Sequence, residues 1–374
     1  MIYQRTIAPA LLASCHQGKA IIIYGARQVG KTTLCKQLRW DSPSTLYVTG
    51  DDFSVVQFLT NASLVTLQQW TAWYTTVIID EAQKIQTIGN TIKLIVDNIP
   101  HVQVIATGSS SFDLANHVQE PLTGRTFTFH LHPLSLEEIW SWVPLHAQSS
   151  LLEQRILYGM YPRSILHNNP NELFELVQAY TYKDIFLYES LRKPDLIVKL
   201  LQALALQIGS EVSYNELSQL LATDPKTIQK YIGLLEQAFI IFRLPSFARN
   251  MRNEIKKWQK IYFRDTGVRN GLLKNVQALD QRSDKWWLRE NFVIAERLKH
   301  LQNHGKYYSS YFWRTQSGQE IDYIETNHTN MIHAYEIKRS STKKAKIPVS
   351  FVESYPWAQY TTIDHNNFRS VIWW

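Results

Sequence analysis

Short apolar runs bounded by polar residues recur through the first 150 residues of the chain. AIIIY (20–24), the VII of TTVIIDEAQKI (75–85) and HVQVI (101–105) are rich in β-branched side chains. Such runs predict strands buried on both faces of a parallel sheet. FTFHLHPL (127–134) alternates and predicts one more strand. The pattern favours an α/β, doubly wound domain over residues 1–150 that ends near WSWVPLHAQSS.

The middle of the chain changes to helical spacing. Ser213 and Glu216 have capping-box spacing, and Asp224 before Pro225 predicts a second helix start. The apolar positions that follow recur at helical spacing: Leu217, Leu220 and Leu221, then Ile228, Tyr231, Ile232 and Leu235. FIIFRLP (239–245) predicts a strand. Two helices and a strand predict a winged helix-turn-helix over residues 201–260, after a helical linker region over 151–200.

Residues 261–374 combine one helix with several strands. Leu288, Phe292 and Ala295 mark the helix, and YYSSYFWRT (307–315), GQEIDYIET (318–326) and MIHAYEIKRSS (331–341) predict three strands. This order resembles the restriction-endonuclease-like fold. We therefore expect a nuclease-like C-terminal α/β domain.

The first candidate site is the loop GARQVGKTT, which matches G-x-x-x-x-G-K-[ST] in full. Gly25 and Gly30 permit backbone angles and close approaches that a Cβ would block. Lys31 is expected to bridge the β- and γ-phosphates of ATP, and Thr32 to ligate Mg²⁺. The residues expected to bind ATP are Gly25, Ala26, Arg27, Gln28, Val29, Gly30, Lys31, Thr32 and Thr33.

Acidic and hydroxyl side chains follow two of the predicted strands. Asp80 and Glu81 end one of them, where Asp80 is expected to hold Mg²⁺ and Glu81 to polarise the attacking water. Ser109 and Thr107 end another and are both candidates to contact the γ-phosphate or the water; a plain turn is the alternative. Arg125 is a candidate arginine finger for a neighbouring subunit's nucleotide, or else a surface ion pair.

The predicted C-terminal strands carry further charged residues that could form a second site. Glu336 and Lys338 share one face of a strand because side chains alternate. Asp322 and Glu336 are expected to hold a second Mg²⁺ and Lys338 to orient a water, while Glu290 completes the site. The alternative is a nuclease-like shell that only binds DNA.

Composition and charge narrow the class of protein. The chain has 374 residues, 45% apolar and 19% charged, with a net charge of +7. Residues 1–150 carry 9 Lys and Arg against 10 Asp and Glu, so the positive surplus lies in residues 151–374. That surplus favours a phosphate-bearing partner, most simply DNA, although a basic surface also serves solubility. The expected DNA contacts are Lys226, Thr227, Gln229, Lys230, Arg249 and Arg252.

The two cysteines, Cys15 and Cys35, have neither pairing logic nor metal-ligand spacing, which favours a reducing, cytoplasmic compartment. No apolar run approaches the ~20 residues of a membrane span, so we expect none.

A family resemblance adds to this picture. GARQVGKTTL, VIIDEAQKI, IATGSSSF, LTGR and HPLSLEEI together resemble the AAA-type P-loop ATPases of bacteria and archaea that carry a C-terminal domain of unknown function. The resemblance continues through LYGMYPRSI (157–165), YFRDTGVRN (262–270) and YEIKRS (335–340). It implies a nucleotide-hydrolysing domain, a winged-helix segment and a nuclease-like C-terminal fold.

Three functions follow as hypotheses. In the first, ATP hydrolysis drives remodelling of DNA or of a complex on it, with nucleotide bound at the subunit interfaces of a homo-oligomer. In the second, nucleotide gates a metal-dependent nuclease. In the third, the chain is a nucleotide-switched protein-interaction module. The sequence leaves all three open.

Overall fold

The computed structural model describes residues 3–38, 42–109, 122–140, 142–144, 147–180, 194–247, 259–338, 347–364 and 367–372. Two compact units make up the chain: unit 1 is Met1–Leu134 with Gln237–Phe239, and unit 2 is Ser135–Glu236 with Ile240–Trp374. The finer division of residues 151–374 into three parts stays a prediction.

Unit 1 contains a five-stranded sheet in which all neighbouring strands run parallel. The strands are β1 (Ala20–Tyr24), β2 (Thr45–Thr49), β3 (Thr76–Asp80), β4 (Gln103–Gly108) and β5 (Thr126–His130), in the order β2-β3-β4-β1-β5. Every residue of the three central strands β1, β3 and β4 is buried. The predicted parallel α/β sheet is therefore confirmed, and the loop after β1 leaves the sheet between two strands that end at the same edge.

Helices cover this sheet. They are α1 (Ala8–Ala13), α2 (Lys31–Gln37), α3 (Phe53–Thr60), α4 (Leu64–Thr71) and α5 (Ile88–Asn98). The side chains of Asp52 and Ser63 accept hydrogen bonds from backbone amides of the first turns of α3 and α4. Ile92 and Ile95 of α5 are fully buried in one cluster with Ile79 of β3. Burying each such side chain contributes about 1.5–3 kcal/mol.

Unit 2 begins with a set of helices: α6 (Leu136–Trp140), α7 (Gln148–Tyr158), α8 (Pro162–His167), α9 (Pro170–Tyr180) and α10 (Pro194–Leu206). α13 (Thr266–Leu272) packs on this set. Asp265 accepts hydrogen bonds from the amides of Val268 and Met160, and Asn270 donates to two carbonyls at the end of α7. Two motifs of the family resemblance, LYGMYPRSI and YFRDTGVRN, therefore contact each other and hold the helices together.

Next come α11 (Tyr214–Leu220), α12 (Pro225–Gln237) and an antiparallel hairpin of β6 (Ile241–Pro245) and β7 (Gln259–Phe263). The two predicted caps are confirmed. Ser213 accepts from the amide of Glu216 at 3.3 Å, and Asp224 accepts from the amide of Thr227 at 2.9 Å. The buried face of α12 carries the apolar residues with helical spacing, and β6 lies within the predicted strand FIIFRLP, whereas β7, its hairpin partner, was not predicted.

The last part is α14 (Lys285–Asn303), β8 (Ser309–Arg314), β9 (Glu320–Thr326), β10 (Ile332–Ile337), α15 (Val349–Ser354), β11 (Gln359–Ile363) and α16 (Phe368–Ile372). The sheet order is β11-β10-β9-β8; β8, β9 and β10 pair antiparallel, and β10 pairs parallel with β11. Arg297 of α14 forms a buried ion pair with Glu325 of β9 at 2.6 Å. Within the described ranges, no helix combines the length and apolarity that crossing a bilayer requires.

Candidate functional site

The loop after β1 depends on its two glycines for different reasons. A Cβ at Gly25 would lie 2.3 Å from the carbonyl oxygen of Leu131, so only glycine fits there. Gly30 has φ +100°, in the left-handed region that favours glycine. The amide of Gly25 donates to the carbonyl of Gly108 at 3.2 Å, which ties the loop to the end of β4. The loop is thereby held in one shape at the carboxyl edge of the sheet.

Lys31 lies inside this loop. Its ammonium donates to the carbonyl oxygens of Gly25 at 2.8 Å and of Ala26 at 3.0 Å, and the side chain is buried. A buried ammonium among carbonyl dipoles is a strong local positive charge, because little water screens it.

Asp80 collects hydroxyl groups from three different elements. Its Oδ2 accepts from Thr32 Oγ1 and from Tyr47 OH, both at 2.6 Å, and its Oδ1 accepts from Thr107 Oγ1. Burial raises the pKa of Asp80, but hydrogen bonds from Thr107, Thr32 and Tyr47 outweigh it and hold the pKa below its usual value. Asp80 is therefore ionised beside the hydroxyl of Thr32.

Glu81 follows in a left-handed conformation, with φ +50°. Its backbone amide donates to Asp80 Oδ1 at 3.2 Å and to Thr107 Oγ1 at 3.3 Å. The side-chain Nε2 of Gln83 donates both to Glu81 Oε2 at 2.6 Å and to Ser109 Oγ at 3.1 Å. The structure therefore brings together the predicted residues Lys31, Thr32, Asp80, Glu81, Thr107 and Ser109 at one edge of the sheet.

Arg125 lies at the opposite edge. Its carbonyl accepts from the amide of Ala20 at the start of β1, and its Nε donates to Asp97 at 2.6 Å. The side chain is 38% exposed. Arg125 does not contact the loop of its own subunit, so its assignment as a finger stays a prediction that requires a neighbouring subunit.

Sequence reasoning missed three contributors: Arg5, Tyr47 and Gln83. Arg5 donates from NH1 to the carbonyl of Val29 at 2.9 Å and from NH2 to that of His132 at 2.7 Å. No motif marks Arg5, since its partners lie in distant segments. Tyr47 and Gln83 could have been predicted as contributors, because each lies close in sequence to the carboxyl end of a strand.

Comparison with known proteins agrees with this geometry. Residues 17–140 match the family model described as an AAA domain. This part of the chain is an AAA-type P-loop ATPase domain, a fold that implies nucleotide binding. Residues 149–279 and 288–367 match two further models, each described as a domain of unknown function.

Relatives extend over most of the chain. An uncharacterised protein of Mycobacterium tuberculosis is 26% identical over 350 residues, which cover 91% of this chain and 75% of the relative. One from Methanocaldococcus jannaschii is 22% identical over 356 residues, covering 85% and 78%. Among solved structures, a Walker-type ATPase of Pyrococcus abyssi is similar with a TM-score of 0.48 and 14% identity, over 73% of this chain and 96% of that one.

A second group of charged side chains lies on the C-terminal sheet. Asp322 of β9 accepts from the backbone amide of Ile337 at 2.7 Å, and Lys338 donates to Glu336 at 2.6 Å. Tyr323 of β9 pairs with Tyr335 of β10 in the antiparallel sheet. Asp322 precedes Tyr323 and Glu336 follows Tyr335, so the two acids lie next to each other on neighbouring strands. Four carboxylates and two lysines form this group, which we call the acidic cluster: Glu290, Glu320, Asp322, Glu336, Lys260 and Lys338.

Glu290 joins the acidic cluster from α14, as its sequence position suggested. It accepts from Tyr262 OH at 2.5 Å and from the buried Lys260 ammonium at 3.3 Å. Lys260 also pairs with Glu320 at 2.5 Å. No sequence pattern places Lys260, Tyr262 or Glu320 in the acidic cluster, because the hairpin that carries two of them reaches the cluster only through tertiary packing.

The carboxylates of the acidic cluster affect one another. Burial and then the charges of Glu290 and Glu336 raise the pKa of Asp322 well above its usual value. Among the described residues, the buried atoms Glu336 Oε2 and Tyr360 OH have no hydrogen-bond partner. The cluster therefore combines crowded carboxylates with an unsatisfied buried oxygen, a combination that a cation would relieve.

The predicted DNA contacts divide into two groups. Lys226, Gln229 and Lys230 are exposed on α12, whereas Thr227 is half-buried and donates its hydroxyl to Asp224. Arg249 and Arg252 lie outside the described residues.

Proposed function

We propose that this protein is a Mg²⁺-dependent ATPase whose turnover is coupled to DNA held by unit 2. The ATPase part rests on the 2.6 Å contact between Thr32 and Asp80 beside the buried ammonium of Lys31. That arrangement supplies what phosphoryl transfer needs, namely fixed positive charge and oxygen ligands for a metal ion.

The residues present fit ATP and magnesium. Oxygen atoms are the ligands that Mg²⁺ prefers, and Thr32 with the ionised Asp80 offers them. Lys31 and the backbone amides of residues 25–33 would hold the phosphates. The metal, when bound, neutralises charge on the phosphate oxygens.

Glu81 is the proposed base. Its carboxylate is held by the side-chain amide of Gln83, which also holds Ser109, so one amide sets the spacing of two groups that we assign to the attacking water. The role of Gln83 is to position Glu81, and Ser109 or Thr107 would contact the water or the γ-phosphate.

Phosphate release from ATP tests the ATPase proposal. The wild type is expected to hydrolyse ATP only with Mg²⁺, and Lys31→Ala to lose at least about 100-fold in rate, since buried charge at the transferred group is removed. Lys36→Ala, an exposed lysine of the same helix, is the matched control. A wild-type rate in Lys31→Ala would refute the proposal.

DNA binding is the second part. α11, α12 and the β6–β7 hairpin support a winged-helix assignment, and Lys226, Gln229 and Lys230 on α12 are exposed. Duplex DNA should raise the ATPase rate, and its binding should weaken steeply with salt. The double variant Lys226→Ala/Lys230→Ala should bind more weakly, whereas Lys199→Ala on α10 should not. Retention of a protein partner without DNA would favour the interaction-module hypothesis instead.

The proposed assembly is a homo-oligomer in which Arg125 reaches a neighbour's nucleotide. Its position at the edge opposite the loop supports action on another subunit. Arg125→Ala should lower the rate, and mixing it with Lys31→Ala subunits should restore part of the activity. Absence of any restoration, with mass measurements showing a monomer, would remove Arg125 from the site.

A second candidate function is metal-dependent cleavage of phosphodiesters at the acidic cluster. The C-terminal part consists of a helix, three antiparallel strands, a second helix and a parallel strand, in that order. This order supports a restriction-endonuclease-like fold. The partnerless Glu336 Oε2 supports a cation there, although Lys260 already pairs with Glu290. Plasmid nicking in Mn²⁺ or Mg²⁺ should disappear in Asp322→Ala and persist in Glu353→Gln, an exposed acid of α15. Equal nicking by wild type and Asp322→Ala would refute this function.

A further inference from the structure

A group of three potential metal ligands lies in unit 2, away from the acidic cluster. Glu137 of α6 faces His300 and His304, which are four residues apart at the end of α14. Glu137 Oε2 lies 3.1 Å from His300 Nδ1, and Glu137 Oε1 lies 3.1 Å from His304 Nε2. One ligand atom from each of the three residues lies within 4.8 Å of the others.

The separations of Glu137 Oε2 from His300 Nδ1 and His304 Nε2, 3.1 and 3.2 Å, are close to those between two ligands of one metal ion. A tetrahedral ion with bonds of about 2.0–2.1 Å sets its ligand atoms roughly 3.3–3.4 Å apart. Because His300 and His304 lie at i and i+4, they share one face of the helix. Two imidazoles and one carboxylate are a donor set that suits Zn²⁺, whereas oxygen-only sites suit Mg²⁺.

Hydrogen bonds at the start of α6 hold the segment that carries the Glu137 carboxylate in place. Ser135 and Glu138 form a reciprocal capping box: the amide of Ser135 donates to Glu138 at 2.8 Å, and the amide of Glu138 donates to Ser135 Oγ at 3.2 Å. The amide of Leu136 donates to Glu296 of α14 at 2.6 Å, and Lys299 pairs with Glu296. Since the capping box fixes the first turn of α6 and the Leu136 amide joins α6 to α14 through a buried hydrogen bond, the backbone that carries Glu137 is held beside His300.

Lys306 gives the site a feature that can be tested. Its ammonium lies 3.3 Å from His300 Nε2, which it can reach only as a donor. The proton of a neutral His300 ring is then on Nδ1 and donated to Glu137. When a metal ion binds Nδ1, that proton must move to Nε2, where it breaks the hydrogen bond from Lys306 and faces the ammonium, so Lys306 opposes metal binding.

We propose that Glu137, His300 and His304 bind one Zn²⁺ ion, with water in the fourth position, and that this ion clamps α6 to the end of α14. Space for the water exists because His304 and Glu137 are 35% and 30% exposed. The ligands are 163 and 167 residues apart in the chain. The clamp therefore closes a very long loop, which stabilises the folded state by restricting the unfolded one.

The test uses the untagged full-length chain, freed of metal with a chelator and then titrated with Zn²⁺ in excess Mg²⁺. Excess Mg²⁺ competes with Zn²⁺ at oxygen-only sites, and comparison with His304→Ala isolates the equivalent that binds at this site. One equivalent of Zn²⁺ is expected to bind and raise the melting temperature. Co²⁺ in its place should give visible absorption bands typical of a four-coordinate site. The proposal would be overturned if no Zn²⁺ bound, or if Zn²⁺ bound without changing the melting temperature.

Two variants test the ligands, and a third serves as the control. His304→Ala, at an exposed position, should weaken Zn²⁺ binding by more than about tenfold, because even outer-shell partners contribute 10–100-fold. His328→Ala, an exposed histidine on a turn, is the matched control and should bind as the wild type does. Lys306→Met should bind Zn²⁺ more tightly. Equal affinity in His304→Ala and wild type would overturn the site, and unchanged affinity in Lys306→Met would remove His300 from it. The ATPase rate is not a readout, so failure here leaves the proposed function untouched.

Discussion

The hydroxyl of Thr32 and the carboxylate of Asp80 lie 2.6 Å apart although 48 positions separate them in the chain. Thr32 is placed by the loop after β1 and Asp80 by the end of β3, with β4 between the two strands. The parallel sheet thus sets the spacing of the two oxygen groups that are proposed to hold Mg²⁺.

Removing that hydroxyl should affect magnesium more than nucleotide. Thr32→Ala is expected to raise the Mg²⁺ concentration needed for half-maximal ATPase activity and to lower the rate roughly 10–100-fold, because one metal ligand is lost. Titration of Mg²⁺ at saturating ATP measures this. Lys36→Ala, at an exposed position of the same helix, is the control, and an unchanged Mg²⁺ requirement in Thr32→Ala would contradict the assignment.

Glu81→Gln should separate binding from hydrolysis. The substitution keeps the shape of the side chain but removes its basicity, so ATP should bind while turnover falls about 10²–10⁴-fold. Filter-bound nucleotide and single-turnover rates distinguish the two steps. Asp51→Asn provides the control, since Asp51 follows β2 but pairs with Lys84. Normal single-turnover hydrolysis by Glu81→Gln would show that another group activates the water.

Two glycines in unit 2 should respond in opposite ways to alanine. A Cβ at Gly267 would lie 2.3 Å from the carbonyl oxygen of Tyr158, a backbone atom that cannot rotate away. Gly267→Ala should therefore lower the free energy of unfolding by about 1–3 kcal/mol. Gly233 of α12 has open space around it, and Gly233→Ala should raise stability by about 0.5–1 kcal/mol. Urea denaturation compares them, and equal effects would contradict this account of the α7–α13 contact.

Asp284 should make the free energy of unfolding depend on pH below about pH 4. Burial raises the pKa of Asp284, but hydrogen bonds and charge from Arg282 and Arg269 outweigh it and lower the pKa to about 2. Because the folded pKa lies below the unfolded one, the carboxylate stabilises the fold above about pH 4, and this contribution disappears as the pH falls toward 2. It amounts to about 1–2 kcal/mol after allowance for solvent screening.

Asp284→Asn should flatten that part of the curve of unfolding free energy against pH. Asp280→Asn, an acid in the preceding turn, should leave the curve as in the wild type. A curve for Asp284→Asn with the wild-type slope between pH 4 and 2 would show that other carboxylates carry the dependence.

The sequence by itself determined the features that depend on neighbouring residues. The glycine spacing of the loop, the acids that end β3, the caps at Ser213 and Asp224, and the alternation that pairs Glu336 with Lys338 are local patterns with one physical explanation each. Strand burial in β1, β3 and β4 also follows locally, because an uninterrupted β-branched run has no polar face to expose.

Tertiary structure decided everything that joins distant segments. Arg5 reaches the loop, Lys260 reaches Glu290, and Glu137 meets His300 only because separate helices and strands pack together. No periodicity or turn signal encodes such a meeting, since the energy that creates it comes from burial of other residues in the cores. The sequence therefore predicted which side chains form the candidate sites, and the packing showed which of them contact one another.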